Sequence, residues 1–372
     1  MTRIGEPIAL IMAGGTGGHV FPALAVARVL RERGITPVWL GTVTGMESKL
    51  VPQHHIEMEY ITVAGVRGKG LKTALLAPLQ LSRAVSQALA IIRRRKPVIV
   101  FGAGGFASGP GGIAAWLSGK PLVIHEQNAI AGMTNRWLAR VAKRVFEAFP
   151  HSFTGAVANA VCVGNPVRRE IAAVAPPEQR FADRRDAIRL LIIGGSLGAQ
   201  RLNALVPEAL ALLRPHERPQ VIHQAGERNL AQAQINYREA NVQADVRAFI
   251  NDMAAMYGWA DLVLCRAGAL TVSELAAVGV AALLVPFPAA VDDHQTHNAQ
   301  FLVNAGAAVL IQERDLTAQR LADALHNLCS QGREHLLKMA QRAREHAIVD
   351  ADVRIADECM KLAGLSWAGG AA

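Results

Sequence analysis

The chain alternates short apolar segments with longer helical patterns along most of its 372 residues. The apolar segments are rich in β-branched residues and carry few polar interruptions, as strands do when helices cover both faces of a parallel sheet. Twelve strands are predicted, near residues 8–13, 36–42, 59–64, 97–102, 121–126, 144–149, 188–193, 220–224, 245–249, 261–265, 282–286 and 307–311. The sequence therefore predicts an α/β protein with doubly wound parallel sheets.

The two halves of the chain begin alike, each with an apolar strand that runs into glycines. The first reads IALIMAGGTGG and the second RLLIIGGSLGAQ. The chain is too long for one ordinary core, and the polar, proline-bearing stretch 164–186 is the expected joint. We predict one domain over 1–166 and a second over 167–346, with their glycine loops lining a cleft between them.

Charge is distributed unevenly between the halves. Residues 1–167 contain 18 Lys and Arg against 7 Asp and Glu, whereas residues 168–372 contain 21 against 23. The first half is thus expected to meet an anionic partner, and nucleic acid, a membrane surface, a phosphorylated substrate or simply a solvated basic face fits. The longest apolar run, 278–291, is too short and proline-broken to span a membrane, and no signal peptide is predicted. Four scattered cysteines are typical of a reduced cytoplasmic protein.

Four loops follow predicted strands and precede predicted helices, at residues 14–19, 102–112, 194–200 and 266–274. Backbone amides at such helix starts favour a phosphate group. None of the loops contains the Gly-Lys-Ser/Thr of a nucleoside triphosphatase. The second loop, Gly102-x-Gly104-x-x-Ala107, fits a relaxed dinucleotide fingerprint with Glu126 further on, so a nicotinamide enzyme is an alternative.

Glu274 stands about one turn into the helix that follows the fourth loop. A carboxylate there can accept hydrogen bonds from two ribose hydroxyls while the helix start faces a diphosphate. It can equally stabilise the dipole of its own helix. The sequence leaves both interpretations open.

Eight motifs resemble the MurG family of bacterial UDP-N-acetylglucosamine transferases. In chain order they are GGTGGHVFPALAVA, GVRGKG, GGFASGPGG, HEQNAIAGMTNRWLA, VGNPVR, GGSLGAQ, CRAGALTVSELAAVG and DDHQTHNAQFL. The resemblance implies a GT-B fold with two Rossmann-like domains, and a C-terminal segment, 347–372, that crosses back onto the first domain. It implies inverting transfer of N-acetylglucosamine from UDP to the 4-hydroxyl of the muramyl sugar in undecaprenyl-pyrophosphoryl-MurNAc-pentapeptide, which converts lipid I to lipid II.

The same resemblance assigns substrate-binding roles by motif position. Glu274 is expected at the ribose, Ile250 at the uracil through its backbone, and Arg168 and Ser196 at the uridine diphosphate. The helix start is expected at the diphosphate through Ala269, Leu270, Thr271, Val272 and Ser273. The donor sugar is assigned to Asn128 and Gln295, and the junction of donor and acceptor to Gly15, Thr16 and Gly17.

His19 is the candidate general base, because imidazole titrates in the range useful for deprotonating a hydroxyl. The alternatives are that His19 only orders its loop, or that Glu126 shares the role. No metal or other cofactor is expected. The only Asp-x-Asp triplet, Asp350-Ala351-Asp352, reads as a helix start, and helix N-termini with Arg168 would neutralise the departing UDP.

Residues 65–96 form a basic, leucine-rich segment. With a lipid-linked acceptor, we expect it to bind anionic phospholipid and to hold the protein peripherally on the cytoplasmic side of the inner membrane. A core-facing helix is the alternative. No nucleic-acid partner is expected, and other cell-wall synthesis proteins are candidate partners. A UDP-sugar-binding protein without turnover is the non-enzymatic alternative.

Overall fold

A computed structural model of the chain describes residues 6–63, 70–153, 157, 160–194, 198–288, 290 and 293–366; the side chains of residues 70–77 lie outside this description. The chain divides into two compact units. Unit 1 comprises Met1–Val167 and Val349–Ala372, and unit 2 comprises Arg168–Ile348.

Unit 1 is built on a parallel sheet in the order β3-β2-β1-β4-β5-β6-β7. Its strands are β1 Ile8–Met12, β2 Thr36–Gly41, β3 Glu57–Tyr60, β4 Ile99–Gly102, β5 Leu122–Glu126, β6 Arg144–Glu147 and β7 Ala160–Cys162. Its helices are α1 Gly17–Glu32, α2 Glu47–Gln53, α3 Gly70–Arg95, α4 Ser108–Leu117, α5 Met133–Leu138 and, at the C-terminal end of the chain, α15 Ala351–Leu362.

Strand β1 shows why this sheet is covered on both faces. Side chains alternate along a strand, so Ala9 and Ile11 enter one apolar cluster while Leu10 and Met12 enter another. Helices α1 and α15 pack on the first face, where Ile355 and its neighbours join the cluster. The strand is therefore apolar at every position and lies in the middle of the unit.

Unit 2 has a parallel sheet in the order β10-β9-β8-β11-β12-β13. Its strands are β8 Arg189–Ile193, β9 Gln220–Gln224, β10 Asp245–Arg247, β11 Leu262–Cys265, β12 Ala281–Leu284 and β13 Ala308–Leu310. Its helices are α6 Arg169–Ala172, α7 Pro177–Phe181, α8 Gln200–Leu212, α9 Leu230–Glu239, α10 Met253–Trp259, α11 Ala269–Val278, α12 His294–Asn304, α13 Ala318–Ser330 and α14 Gly332–Glu345.

Each sheet places its first strand between the second and fourth, which is the Rossmann order. The order reverses between β1 and β4 in unit 1 and between β8 and β11 in unit 2, and ligands bind beyond the carboxyl ends of strands at such points. The predicted α/β, doubly wound class is confirmed, and all twelve predicted strands are present. The thirteenth strand, β7, was not predicted.

Candidate functional site

The first glycine loop of unit 1 leaves β1 and enters α1. Gly15 has a φ of 89°, which glycine adopts without strain. Thr16 is the N-cap of α1, but its side chain makes no capping hydrogen bond. Its Oγ1 lies 3.0 Å from Nδ1 of His19 instead. The predicted residues Gly15, Thr16, Gly17 and His19 thus form one short segment, in which the threonine orients the imidazole.

The second glycine loop, after β4, packs against the first. Gly104 has a φ of 93°, and a Cβ atom there would lie only 2.6 Å from Cδ2 of His19 and 2.9 Å from Nε2. The half-buried imidazole therefore rests directly on the backbone of Gly104. Loops that follow neighbouring strands thereby position the candidate base from two sides.

Glu126 ends β5 and is only 2% exposed. Its Oε1 accepts hydrogen bonds from the backbone and side-chain nitrogens of Asn128 at 2.9 and 3.2 Å. Its Oε2 accepts from the backbone of Gly132 at 3.1 Å and from Nδ2 of Asn135 at 2.8 Å. This geometry favours a structural task for Glu126, which is to fix the loop that presents Asn128.

In unit 2 the carboxylate of Glu274 has two partners. Glu274 lies on α11 and is 5% exposed. The guanidinium of Arg168 donates to its Oε1 from Nε at 3.2 Å and from Nη2 at 3.1 Å, and the hydroxyl of Tyr257 donates to its Oε2 at 3.2 Å. Burial raises the pKa of Glu274 above its usual range, against the opposing effects of Arg168 and Tyr257. Arg168 and Glu274 were predicted from motifs far apart in sequence, and the structure brings them together.

Tyr257 is a residue of this site that sequence reasoning missed. It is fully buried, and burial raises the pKa of its phenol well above the ordinary value, so it acts as a neutral donor. It lies on α10, outside every quoted motif. Its one sequence signal is that a tyrosine stands in an otherwise apolar helix.

The start of α11 offers backbone rather than side chains. Its N-cap is Gly268, with no side-chain cap. Val272 is fully buried and Ala269 nearly so, while the Ser273 hydroxyl donates to the carbonyl of Ala269 at 3.0 Å. Leu270 and Thr271 are partly exposed. A ligand at this end would therefore meet mainly amide groups and the positive end of the helix dipole.

The remaining predicted residues of unit 2 are more scattered. Ile250 is buried just after β10. Gln295, on α12, accepts a hydrogen bond from the backbone N–H of Phe287 at 2.9 Å. Ser196 lies outside the described residues.

The Asp-x-Asp triplet is engaged in ion pairs. Asp350 pairs with Arg354 at 2.9 Å, and Asp352 pairs with Arg28 of α1 at 3.3 Å. In the part of the chain that the structure describes, no group of three or more His, Cys, Asp or Glu side chains could hold a metal ion. Over the same residues, no helix is long and apolar enough to cross a bilayer.

Two Rossmann-ordered units, glycine loops at each reversal and a helix start beside a buried carboxylate are features of the GT-B class of nucleotide-sugar enzymes. Comparison with known proteins identifies the family. The model of the glycosyltransferase family 28 N-terminal domain matches residues 9–147, and that of the C-terminal domain matches residues 189–355.

Similar proteins cover nearly the whole chain. A relative from Marinobacter nauticus is 56% identical over 354 residues, covering 95% of this chain and 97% of its own. One from Burkholderia thailandensis is 53% identical over 364 residues, covering 97% of each. Both are named UDP-N-acetylglucosamine–N-acetylmuramyl-(pentapeptide) pyrophosphoryl-undecaprenol N-acetylglucosamine transferase. The crystal structure of Acinetobacter baumannii MurG superposes with a TM-score of 0.85 at 42% identity, covering 95% of this chain and 99% of its own.

The chain belongs to the MurG group of glycosyltransferase family 28. This overturns the nicotinamide alternative. Its proposed acidic residue, Glu126, is held by four donors of its own loop.

Proposed function

We propose that this chain moves N-acetylglucosamine from UDP-N-acetylglucosamine to the 4-hydroxyl of the muramyl sugar in undecaprenyl-pyrophosphoryl-MurNAc-pentapeptide, with inversion at the anomeric carbon. The observation that carries the proposal is the identity of 53–56% to transferases named for this reaction, over 95–97% of the chain. The product is lipid II, so the protein acts in peptidoglycan synthesis.

We assign donor recognition to unit 2. Arg168 and Glu274 present a cation and a carboxylate side by side, which suits a nucleoside diphosphate. Ribose hydroxyls would take the oxygens of Glu274 that the resting structure gives to Arg168, and the guanidinium would turn to the diphosphate. The amides at the start of α11 would share that charge, with Ser196, Ile250 and Gln295 completing the contacts to the donor.

We assign deprotonation of the acceptor to His19. The acceptor oxygen forms a bond to the anomeric carbon, the bond from that carbon to UDP breaks, and the hydroxyl proton passes to the imidazole. A proton on Nδ1 would be donated to Thr16, 3.0 Å away, and would leave Nε2 as the basic nitrogen. The role of Glu126 in this scheme is to hold Asn128 beside the sugar.

The test is a transfer assay with purified protein, UDP-N-acetylglucosamine and a short-chain lipid I analogue, with EDTA present. Mass spectrometry should find a product heavier by one N-acetylhexosamine. Absence of product with EDTA, restored by a divalent metal, would contradict the metal-independent part. Absence of product under both conditions, while UDP-N-acetylglucosamine still protects against thermal unfolding, would favour the non-enzymatic alternative.

We further propose that unit 1 binds the surface of an anionic membrane. Part of the predicted segment, residues 65–69, lies outside the described residues. Among the described residues, α3 packs against α4, and α4 packs against α5. Each of these helices carries an exposed apolar side chain: Leu79 on α3, Trp116 on α4 and Trp137 on α5. Arg140 stacks 4.3 Å from the centre of the Trp137 ring, which combines an interfacial aromatic with a cation.

The basic end of α3 contributes less than its sequence indicates. Arg94 and Arg95 pair with Glu59 of β3, and Arg95 also pairs with Glu57. Those charges stabilise the unit, and Arg83 and Arg93 are exposed. The apolar surface should therefore matter as much as the charge.

Liposome sedimentation tests this membrane proposal. Binding should need anionic lipid and weaken with salt, and Trp137→Ser should reduce it several-fold. The matched control is Leu212→Ser, which removes another apolar side chain that is more than half exposed, from α8 of unit 2, and should bind as wild type. Equal binding to neutral and anionic vesicles would contradict the electrostatic part.

A further inference from the structure

Glu47 is a buried carboxylate that no role proposed above uses. It is the first residue of α2 and is 1% exposed. Its Oε2 accepts a hydrogen bond from the backbone N–H of Gly15 at 3.1 Å. Its Oε1 accepts from the backbone N–H and the hydroxyl of Thr42 at 3.0 and 2.8 Å. These three donors are neutral, so dipoles of the backbone and of one hydroxyl hold the buried carboxylate.

Glycines make room for this side chain. A Cβ atom at Gly14 would lie 2.7 Å from Oε1 of Glu47, and one at Gly41 would lie 2.8 Å from Cγ. A third glycine, Gly45, is also too close to the carboxylate to carry a side chain. The carboxylate thus occupies a site walled by backbone, which only glycine at these positions permits.

The hydrogen bond to Gly15 fixes one peptide plane. The N–H of Gly15 and the carbonyl of Gly14 belong to the same trans peptide group and point in opposite directions. The N–H is directed at Glu47, while the carbonyl oxygen lies against Gly105, where a side chain could not fit. The peptide is therefore clamped between Glu47 and the second glycine loop.

The elements on both sides of this clamp hold His19. Thr16 follows Gly15 and contacts Nδ1 of the imidazole, and Gly104 precedes Gly105 and supports the ring. A rotation of the clamped peptide would displace both supports. The backbone N–H of Gly15 already donates to Glu47. An anion at this loop must therefore be bound by the backbone amides that follow Gly15.

We propose that Glu47 is a positioning residue for the transfer reaction: its carboxylate fixes the loop of Gly15, Thr16 and Gly17 and thereby the imidazole of His19. This inference rests on the proposed function. Under this inference, Glu47 affects deprotonation of the acceptor in unit 1 and leaves donor binding in unit 2 unchanged.

The test variant is Glu47→Gln, which keeps the shape but replaces one acceptor oxygen with a donor. The amide cannot accept from Gly15 and Thr42 together. We expect kcat to fall 10–100-fold in the lipid I analogue assay, while the KM for UDP-N-acetylglucosamine stays within threefold. The acidic limb of the kcat–pH profile should also shift, because the surroundings of His19 change.

The matched control is Glu59→Gln. Glu59, on β3, is also a buried carboxylate of unit 1, but it pairs with two arginines of α3, Arg94 and Arg95. Its loss should lower the thermal unfolding midpoint and leave kcat within twofold of wild type. This control separates loss of a buried charge from loss of loop positioning.

The outcomes divide cleanly. Equal kcat and an equal pH profile in wild type and Glu47→Gln would overturn the role of Glu47, whereas no product from wild type would overturn the proposed function itself. If Glu47→Gln does not fold, Thr42→Val removes one donor and keeps the charge. A two- to fivefold lower kcat at unchanged KM would then support the inference, and wild-type kcat would overturn it.

Discussion

The two units have the same strand order around the point where that order reverses, but different side chains lie at that point in each unit. In unit 1 the buried carboxylate of Glu47 faces neutral backbone and hydroxyl donors, and the group left at the surface is the imidazole of His19. In unit 2 the buried carboxylate of Glu274 faces a guanidinium and a phenol. The first arrangement suits proton transfer by an oriented base, and the second suits recognition of a ligand that carries hydroxyls and charge.

The glycines differ between the two points in the same sense. In unit 1, Gly104 and Gly105 of the second loop let it pack directly against His19 and Gly14 of the first. Unit 2 uses Gly268 as the N-cap of α11, so that the start of the helix stays open to an anion. Thus one fold positions a side chain in unit 1 and exposes backbone amides in unit 2.

The contrast between a reactive unit 1 and a donor-binding unit 2 requires that catalysis depend on His19 of unit 1. His19→Ala should lower turnover by about 10²–10⁴-fold, the range that positioned acid–base groups contribute. Protection by UDP-N-acetylglucosamine against thermal unfolding should persist, because we assign the donor to unit 2. His54→Ala, which removes an exposed histidine of unit 1, is the control and should turn over as wild type. Near-normal turnover of His19→Ala would show that His19 is not the general base.

Acid should affect both units through one buried histidine each. Burial lowers the pKa of His125 and of His223 to about 4. Between roughly pH 6.5 and pH 4 the unfolded chain binds protons at these positions that the folded chain does not, so the free energy of unfolding falls as pH falls. The slope should be about 1.4 kcal/mol per pH unit for each histidine.

Urea denaturation across this pH range measures the slope. In unit 2, His223 contacts the Tyr237 hydroxyl and Asn203, and His223→Gln should remove that unit's share. The share of unit 1, from His125 against the carbonyl of Gly164, should persist. An unchanged slope in His223→Gln would show that other groups control the acid response.

Donor affinity should depend on the carboxylate of unit 2. Glu274→Gln should weaken UDP-N-acetylglucosamine binding by about 10–100-fold, as expected for hydrogen bonds to a charged group. Calorimetry checks this, with Glu208→Gln on the exposed face of α8 as the control. Burial raises the pKa of Glu274, so its carboxylate gains a proton at a higher pH than an ordinary glutamate does. As pH is lowered, the affinity of the wild type for UDP-N-acetylglucosamine should therefore begin to fall at that higher pH. Unaltered affinity of Glu274→Gln for UDP-N-acetylglucosamine would show that Glu274 does not bind the ribose.

The fold was predictable because most strands are short runs rich in apolar residues, and glycines mark several of the turns from a strand into a helix. The sequence predicts a helix start at Asp350, and the triplet lies at the beginning of α15 with both carboxylates in ion pairs.

The supports of the site were harder to predict than its motif residues. Glu47 reads as an ordinary polar residue at a helix start, because its partners, Gly15 and Thr42, reach it only through the fold. Tyr257 lies 17 residues before Glu274 and meets it only because α10 and α11 pack together. A sequence shows which side chains can carry chemistry, whereas burial and cross-element hydrogen bonds decide which others hold them in place.

The smallest expected effect sharpens the comparison most. Tyr257→Phe removes one neutral hydrogen bond to Oε2 of Glu274 and leaves the ion pair with Arg168 intact. A neutral hydrogen bond contributes about 0.5–1.5 kcal/mol, so the KM for UDP-N-acetylglucosamine should rise about two- to tenfold at unchanged kcat. If kcat falls instead while KM is constant, the phenol serves the reaction step, and the division between a reactive unit 1 and a binding unit 2 fails. If neither changes, Glu274 does not need the phenol to bind the donor, and unit 2 would rely on charge where unit 1 relies on neutral donors.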